Sequence, residues 1–246
     1  MFGIFKKKEV RKHITFDYSS LMVDMHSHVL PGIDDGAQTP EESIALIKKM
    51  MALGIKKIIA TPHIMVDYYR NTAETINGAL EILKAELKKE NINIIVEAAA
   101  EHYFDETFEK RVDDGKLMVM KGNYVLFEFS FINQPPNVIP VVQKLKDLGY
   151  KPILAHPERY PYMELEQFKT LHDWGVSLQL NTISLTGYYG KEAKKMAETL
   201  IDNQLVDFIS SDMHHLRHAE ALKNSLRMPY LEKLLFEYPL KNTLLM

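Results

Sequence analysis

The chain has 246 residues, a hydrophobic fraction of 46%, a charged fraction of 26% and a formal net charge of −3. That is enough chain for one large domain with a substantial core, and the charge excludes a general electrostatic receptor for nucleic acid. The absence of cysteine excludes disulfides, thiolate zinc sites, iron–sulfur clusters and any phosphatase mechanism that passes through cysteinyl-phosphate.

Residues 1–20 read as an N-terminal arm. The apolar run Met1–Phe5 is too short for a signal-peptide core, and it precedes Lys6-Lys7-Lys8 instead of following them. A loosely docked arm is the simplest reading; a basic contact for an anionic membrane or partner is the sharper one. No apolar stretch nears the length of a membrane span. The expectation is a cytoplasmic protein whose residues 21–246 form one domain.

Short β-rich runs then alternate with amphipathic stretches. Strands are predicted at Leu21–Met25, Lys57–Ala60, Asn93–Ala98, Tyr124–Phe129, Pro152–Ala155, Val176–Leu180 and Asp207–Ser210. Helices are predicted near 40–53, 73–90, 137–148, 164–174, 190–203 and 215–226. Thr39 followed by Pro40-Glu41-Glu42 has the cap, N1 proline and acidic first turn of a helix start. Gly54 and Gly149 sit where C-terminal stops belong. Seven strands alternating with helices predict a βα barrel, closed or slightly irregular. An open doubly wound sheet competes, but no phosphate-binding glycine fingerprint follows the first strand.

The metal-capable residues fall at the C-terminal ends of the predicted strands, where barrel enzymes build their sites. His26-Ser27-His28 ends the first strand, and side chains two apart on a strand share a face. Asp34-Asp35-Gly36 follows in the next loop. Thr61-Pro62-His63 ends the second strand, Glu101-His102 the third, Glu128 the fourth, His156-Pro157-Glu158-Arg159 the fifth and Ser211-Asp212-Met213-His214 the seventh. His13, His172, His215 and His218 read as ordinary core or surface residues. Burying so many ionisable groups without compensation would cost several kcal/mol per charge, and metal ions compensate them. The best candidates are five histidines (26, 28, 63, 156 and 214) and four carboxylates (Asp35, Glu101, Glu128 and Asp212). That set exceeds the needs of one ion and suits two or three sharing a bridging carboxylate. Mixed imidazole and carboxylate ligation favours Mn, Fe or Zn over Ca. Three divalent ions facing four carboxylates would leave the site about two charges positive, a receptor for a phosphate dianion.

These residues resemble a family. The order His-x-His, His, Glu, His and a final Asp-x-His is that of the PHP (polymerase and histidinol phosphatase) superfamily. More closely, the stretch from His26 through Leu30-Pro31-Gly32-Ile33-Asp34-Asp35-Gly36 to Ala37, with Thr61-Pro62-His63, His156-Pro157-Glu158-Arg159 and Ser211-Asp212-Met213-His214, is similar to the manganese-dependent tyrosine phosphatases encoded with capsule and exopolysaccharide systems. The resemblance runs from about residue 22 to 218 and implies an irregular (βα)7 TIM-like barrel with a three-metal centre. It implies that His26, His28, Glu101 and Asp212 hold one ion, that Glu101, Glu128 and His156 hold a second, and that Asp35, His63 and His214 hold the third. Arg159 and Arg217 match positions of phosphate-contacting arginines, a task that suits a planar fork. The resemblance implies manganese, with Fe, Zn and Mg as alternatives.

The implied activity is hydrolysis of protein phosphotyrosine, with the tail of a membrane-associated bacterial tyrosine kinase that drives polysaccharide export as substrate. Tyr68, Tyr69, Phe104, Phe131, Tyr160, Tyr188 and Tyr189 lie in predicted loops and are candidates for a slot around the substrate ring. A histidinol-phosphate phosphatase, acting on a small alkyl phosphate, is the alternative with the same metal motifs. No nucleic-acid partner is expected, and a homo-oligomer is compatible with the sequence. The twenty or so residues before the first strand depart from the compact relatives.

Overall fold

Strand pairing in the computed structural model, which describes residues 16–246, is parallel throughout its ladders. Residues 1–15 of the predicted arm, with Lys6-Lys7-Lys8 and His13, lie outside the described residues. The strands are β1 (Val23–Asp24), β2 (Lys57–Ala60), β3 (His63–Ile64), β4 (Ile95–Ala98), β5 (Glu101–Tyr103), β6 (Tyr124–Glu128), β7 (Lys151–Ala155), β8 (Ser177–Asn181) and β9 (Phe208–Ser210). The α-helices are α1 (Pro40–Ala52), α2 (Ala73–Lys89), α3 (Glu106–Asp113), α4 (Val138–Asp147), α5 (Leu165–Asp173), α6 (Lys191–Asp202), α7 (Leu216–Ser225) and α8 (Pro229–Phe236).

The strands form a sheet in the order β1-β2-β4 and a second in the order β3-β5-β6-β7-β8-β9. β2 and β3 are one path interrupted at Thr61-Pro62, and β4 and β5 one path interrupted at Ala99-Ala100, so the predicted seven-strand order holds. Backbone bonds bridge the interruption: Ala99 N donates to Ala60 O (2.9 Å) and Glu101 N to Pro62 O (3.1 Å). The ladder is not continuous between β1 and β9. There the first and last strands are joined by an isolated parallel bridge at Ser27 and Met213, with His28 N donating to Met213 O (2.8 Å) and Asp212 N to His26 O (2.9 Å).

The helices bury the faces that their sequence periodicity supplies. On α2 the buried residues are Ile76, Ala79, Leu80, Leu83 and Leu87, one apolar stripe facing the sheet. Thr39 caps α1 through Glu42 N with Pro40 at N1, as predicted. Gly54 (φ 101°) and Gly149 (φ 82°) adopt the left-handed backbone that stops α1 and α4.

Three elements differ from the expectation. The first strand is shorter than Leu21–Met25, because Met22 is left-handed (φ 64°) and the N–H groups of Met25 and His26 both donate to Ser210 Oγ (3.0 and 2.8 Å) instead of a ladder. Helix α3 was not expected: it is short and charged, buries Phe108 and Val112, and is capped by Asp105 through Phe108 N. Helix α8, opened by Pro229, was likewise not expected. Phe16–Ser20 pack onto the domain, with Tyr18 buried and its hydroxyl 2.5 Å from Ser225 Oγ.

Candidate metal centre

The carboxyl ends of the strands converge on one cavity of about 280 Å3, lined among others by Asp35, His63, Glu101, Glu128, His156, Asp212 and His214. His26 and His28 lie beneath it, fully buried. All nine candidate ligands fall into four overlapping groups whose ligand atoms lie within 4.8 Å of one another. These are His28, Asp35, His63 and His214; His26, His28 and Glu101; His26, His156 and Asp212; and His63, Glu101 and Glu128. Glu101 is the hub. Its Oε2 is 3.2 Å from His26 Nε2, 3.3 Å from His28 Nε2 and 3.2 Å from His63 Nδ1, while its Oε1 is 3.0 Å from His156 Nε2.

Two candidate ligands sit on strained backbone. His156 has φ 33° and Asp212 φ 50°, and a non-glycine residue in this region costs on the order of 1–3 kcal/mol. The turns that end β7 and β9 thus aim these side chains into the cavity at the expense of backbone comfort. Gly36 answers a different demand: a Cβ there would lie 2.0 Å from His28 O, so only glycine lets the 34–37 loop close over that histidine.

The electrostatics are those of buried imidazoles and carboxylates packed against one another. Burial opposes charge on Glu101, yet His26 and His63 hold its carboxyl well below the usual carboxylate range. Burial likewise opposes charge on Asp212, and His26 and His214 pull it down. Burial lowers His63, but Glu128 and Glu101 raise it well above the ordinary imidazole value. Burial and the Arg159 guanidinium push His156 down.

The residues fit a metal on two observations. The donors are imidazoles and carboxylates with no thiolate, the chemistry of Mn, Fe or Zn. Moreover, His63 Nδ1, Glu101 Oε2, Glu128 Oε1 and His156 Nδ1 are buried without a hydrogen-bond partner. His63 Nδ1 lies 3.0 Å from Glu128 Oε1 and 3.2 Å from Glu101 Oε2, close but not in hydrogen-bond geometry. Native proteins seldom leave such atoms orphaned.

Buried partners orient the inner imidazoles. His28 Nδ1 is 2.7 Å from Asp34 Oδ2, which also accepts from His63 N (3.2 Å). His26 Nδ1 is 2.8 Å from Gln179 Oε1. Each bond turns the ring's Nε2 toward Glu101 and Asp212. Arg159 Nη1 donates to Asp212 Oδ2 (2.9 Å), and Asn181 Nδ2 donates to the same oxygen (3.0 Å). The guanidinium lies between two rings, 4.6 Å from the Phe131 centroid and 4.1 Å from that of Tyr189.

Comparison with known proteins then decides the family. The family described as capsular polysaccharide synthesis, CpsB/CapC, matches residues 22–235. The chain belongs to the CpsB/CapC family. YwqE of Bacillus subtilis (strain 168), a tyrosine-protein phosphatase, is 31% identical over 199 residues, 80% of this chain and 78% of its own. CapC of Staphylococcus aureus is 32% identical over 206 residues, 79% of this chain and 78% of its own. A crystal structure from work on YwqE of Bacillus subtilis and CpsB of Streptococcus pneumoniae, described as metal-dependent tyrosine phosphatases, superposes with a TM-score of 0.82 at 29% identity. That match covers 91% of this chain and 94% of the other.

Within this CpsB/CapC chain the structure gathers all nine expected ligands and Arg159 around one cavity, and it sets Arg217 apart. Arg217 is exposed on α7 and lines grooves outside the cavity, whereas its neighbour His218 lines the cavity with His215. His218 is buried, with Nδ1 3.1 Å from Asp212 O, and with His215 it forms part of the cavity wall. His102 points away from the site: its Nε2 is 3.3 Å from Met118 O, and burial pushes it down to about 3. Of the aromatic candidates, Phe131 and Tyr189 line the cavity and Tyr69 stacks on His63 at 5.5 Å. Phe104 and Tyr160 are core, and the Tyr160 hydroxyl links Phe129 N and Ala155 O. Gln179 and Asn181 were missed. Their signal was a strict alternation of polar and apolar residues along β8, with Ser177, Gln179 and Asn181 on one face and Leu178 and Leu180 on the other.

Proposed function

We propose that this chain is a metal-dependent protein-tyrosine phosphatase. The observation that carries the reading is a set of buried atoms without a hydrogen-bond partner, His63 Nδ1, Glu101 Oε2, Glu128 Oε1 and His156 Nδ1, on residues that line the same cavity as Arg159. Family membership and the tyrosine-phosphatase relatives support the same reading. In it, His26, His28, Asp35, His63, Glu101, Glu128, His156, Asp212 and His214 hold the metal, with three manganese ions as the favoured occupancy and Fe, Zn or Mg as alternatives. Divalent ions there would bind phosphoryl oxygens, lower the pKa of a water and stabilise the leaving oxygen.

The protein's own groups do the rest. Arg159, fixed by Asp212 and by the two flanking rings, offers its remaining N–H groups to phosphate oxygens as a preformed fork. Phe131 and Tyr189, which line the cavity on either side of Arg159, border the approach of the substrate tyrosine. Asp34 and Gln179 hold His28 and His26 in the tautomer that leaves Nε2 free for a ligand. Arg217, exposed on α7 beside His214 and His215 of the cavity wall, is the second proposed phosphate contact. The substrate in this reading is the phosphorylated tail of a membrane-associated bacterial tyrosine kinase of capsule or exopolysaccharide synthesis. It is met in the cytoplasm, where such a kinase finds ATP. Among the described residues, no helix is long and apolar enough to cross a membrane.

Phosphate release from a phosphotyrosine peptide and from histidinol phosphate, measured side by side with added manganese, tests the proposal. Faster release from the peptide, abolished by EDTA, is the expected result. A preference for histidinol phosphate would keep the metal site and overturn the substrate.

A further inference from the structure

A second cavity of about 530 Å3 opens beside the metal cavity, and the two share a wall made of Phe131, Arg159 and Tyr189. Most of its lining is apolar, with Tyr160 and Met163 buried in it and Met196 contributed by α6, and the buried Glu158 is its inner polar member. At its edge Glu192 and Lys195 carry opposite charges, so the edge favours neither sign.

We infer that this second cavity is a subsite for a long apolar side chain, such as leucine or methionine, one or two positions from the phosphotyrosine of the substrate. The inference rests on the phosphatase reading and adds to it a sequence preference. A phosphate held at Arg159 brings the flanking substrate residues to the shared wall. An extended chain advances about 3.3 Å per residue, enough to carry a neighbouring side chain past one guanidinium. Methionine on the floor suits a pocket that accepts more than one apolar shape. The sandwich around Arg159 keeps the wall in place, so the two sites stay in fixed register.

The test uses the full chain reconstituted with manganese and three substrates: p-nitrophenyl phosphate and two phosphotyrosine peptides. The peptides differ only in carrying leucine or serine at the positions flanking the phosphotyrosine. The leucine peptide is expected to have a kcat/KM about tenfold higher, the scale of an added apolar contact in a pocket. Met196→Glu is expected to erase that difference and Met196→Ala to shrink it, with hydrolysis of p-nitrophenyl phosphate unchanged in both. That unchanged rate also reports that the variants fold. Equal rates for the two peptides, or a preference that survives Met196→Glu, would overturn the inference while leaving the phosphatase reading intact. No hydrolysis of any substrate would overturn both.

Discussion

Charged and polar side chains are buried at both ends of the strands, and the two ends satisfy them by different means. At the amino ends, Lys57 is 2% exposed, donates to Leu245 O at 2.6 Å and pairs with Glu97 at 2.8 Å. Asn242 donates to Val23 O (3.0 Å) and Ile209 O (2.8 Å) and accepts from Ile209 N (3.1 Å), closing the gap between β1 and β9 from below. Every one of these partners belongs to the chain. At the carboxyl ends, His63 Nδ1, Glu101 Oε2, Glu128 Oε1 and His156 Nδ1 are among the buried atoms without a partner, and two candidate ligand residues sit on left-handed backbone. An unsatisfied buried group costs about 1–3 kcal/mol, so that end is built for something the polypeptide does not supply. The contrast separates stability from function: the same strands end in a self-satisfied floor and a ligand-seeking rim.

Substitutions at the rim sharpen this contrast most. His156→Ala removes a candidate ligand on strained backbone and is expected to lower phosphotyrosine-peptide kcat/KM by more than about 100-fold, with the circular dichroism spectrum retained. Arg159→Ala should cost about 100-fold in kcat, the scale for removing one preorganised donor. Arg159→Lys should recover only part of that, since an ammonium lacks the fork. Asp34→Asn, which weakens the hold on His28 Nδ1, should lower metal affinity by about 10-fold to 100-fold, read by titration against a chelator.

Acidity acts on the rim in a fixed direction. Burial pulls His28 down, but the Asp34 carboxylate raises it, and the net effect is a rise to about 10. The metal-free ring therefore holds a proton at neutral pH that a ligating ring must give up. Metal affinity should rise with pH, by about tenfold per unit for each displaced proton, and fall as the solution is acidified. Calorimetric titration in two buffers of different ionisation enthalpy should register proton release at pH 7; none would contradict this account of the site.

At the floor the expectation reverses. Asn242→Ala should destabilise the fold by about 1–3 kcal/mol through the groups it leaves unpaired, measured by denaturant unfolding. Metal affinity and kcat should stay unchanged. A loss of metal binding in that variant would break the separation between the two ends.

Much of the rim was legible in the sequence because its candidate ligands come in short local patterns at strand ends: His26 with His28, Asp212 with His214, and Glu101 after a β-rich run. Helix boundaries at Thr39, Gly54 and Gly149 were legible because caps and left-handed glycines are local chemistry. The positions that escaped depend on contacts far apart in the chain. Gln179 reaches His26 across 153 residues and Asn242 reaches Val23 across 219. Arg217 and His218 could not be ranked from spacing, since which of two neighbours faces a cavity depends on how α7 is rotated. Helix α3 escaped because a short charged helix with two buried residues has little periodicity to read.

The most direct test of the account is to count the metal ions bound per chain while following phosphotyrosine-peptide hydrolysis. Protein loaded with manganese and freed of excess would be analysed by inductively coupled plasma mass spectrometry, stripped with EDTA and reloaded. More than one ion per chain is expected, with joint loss of ions and activity on stripping, joint return on reloading, and an unchanged circular dichroism spectrum throughout. Full hydrolysis by the stripped, metal-free chain would contradict this expectation.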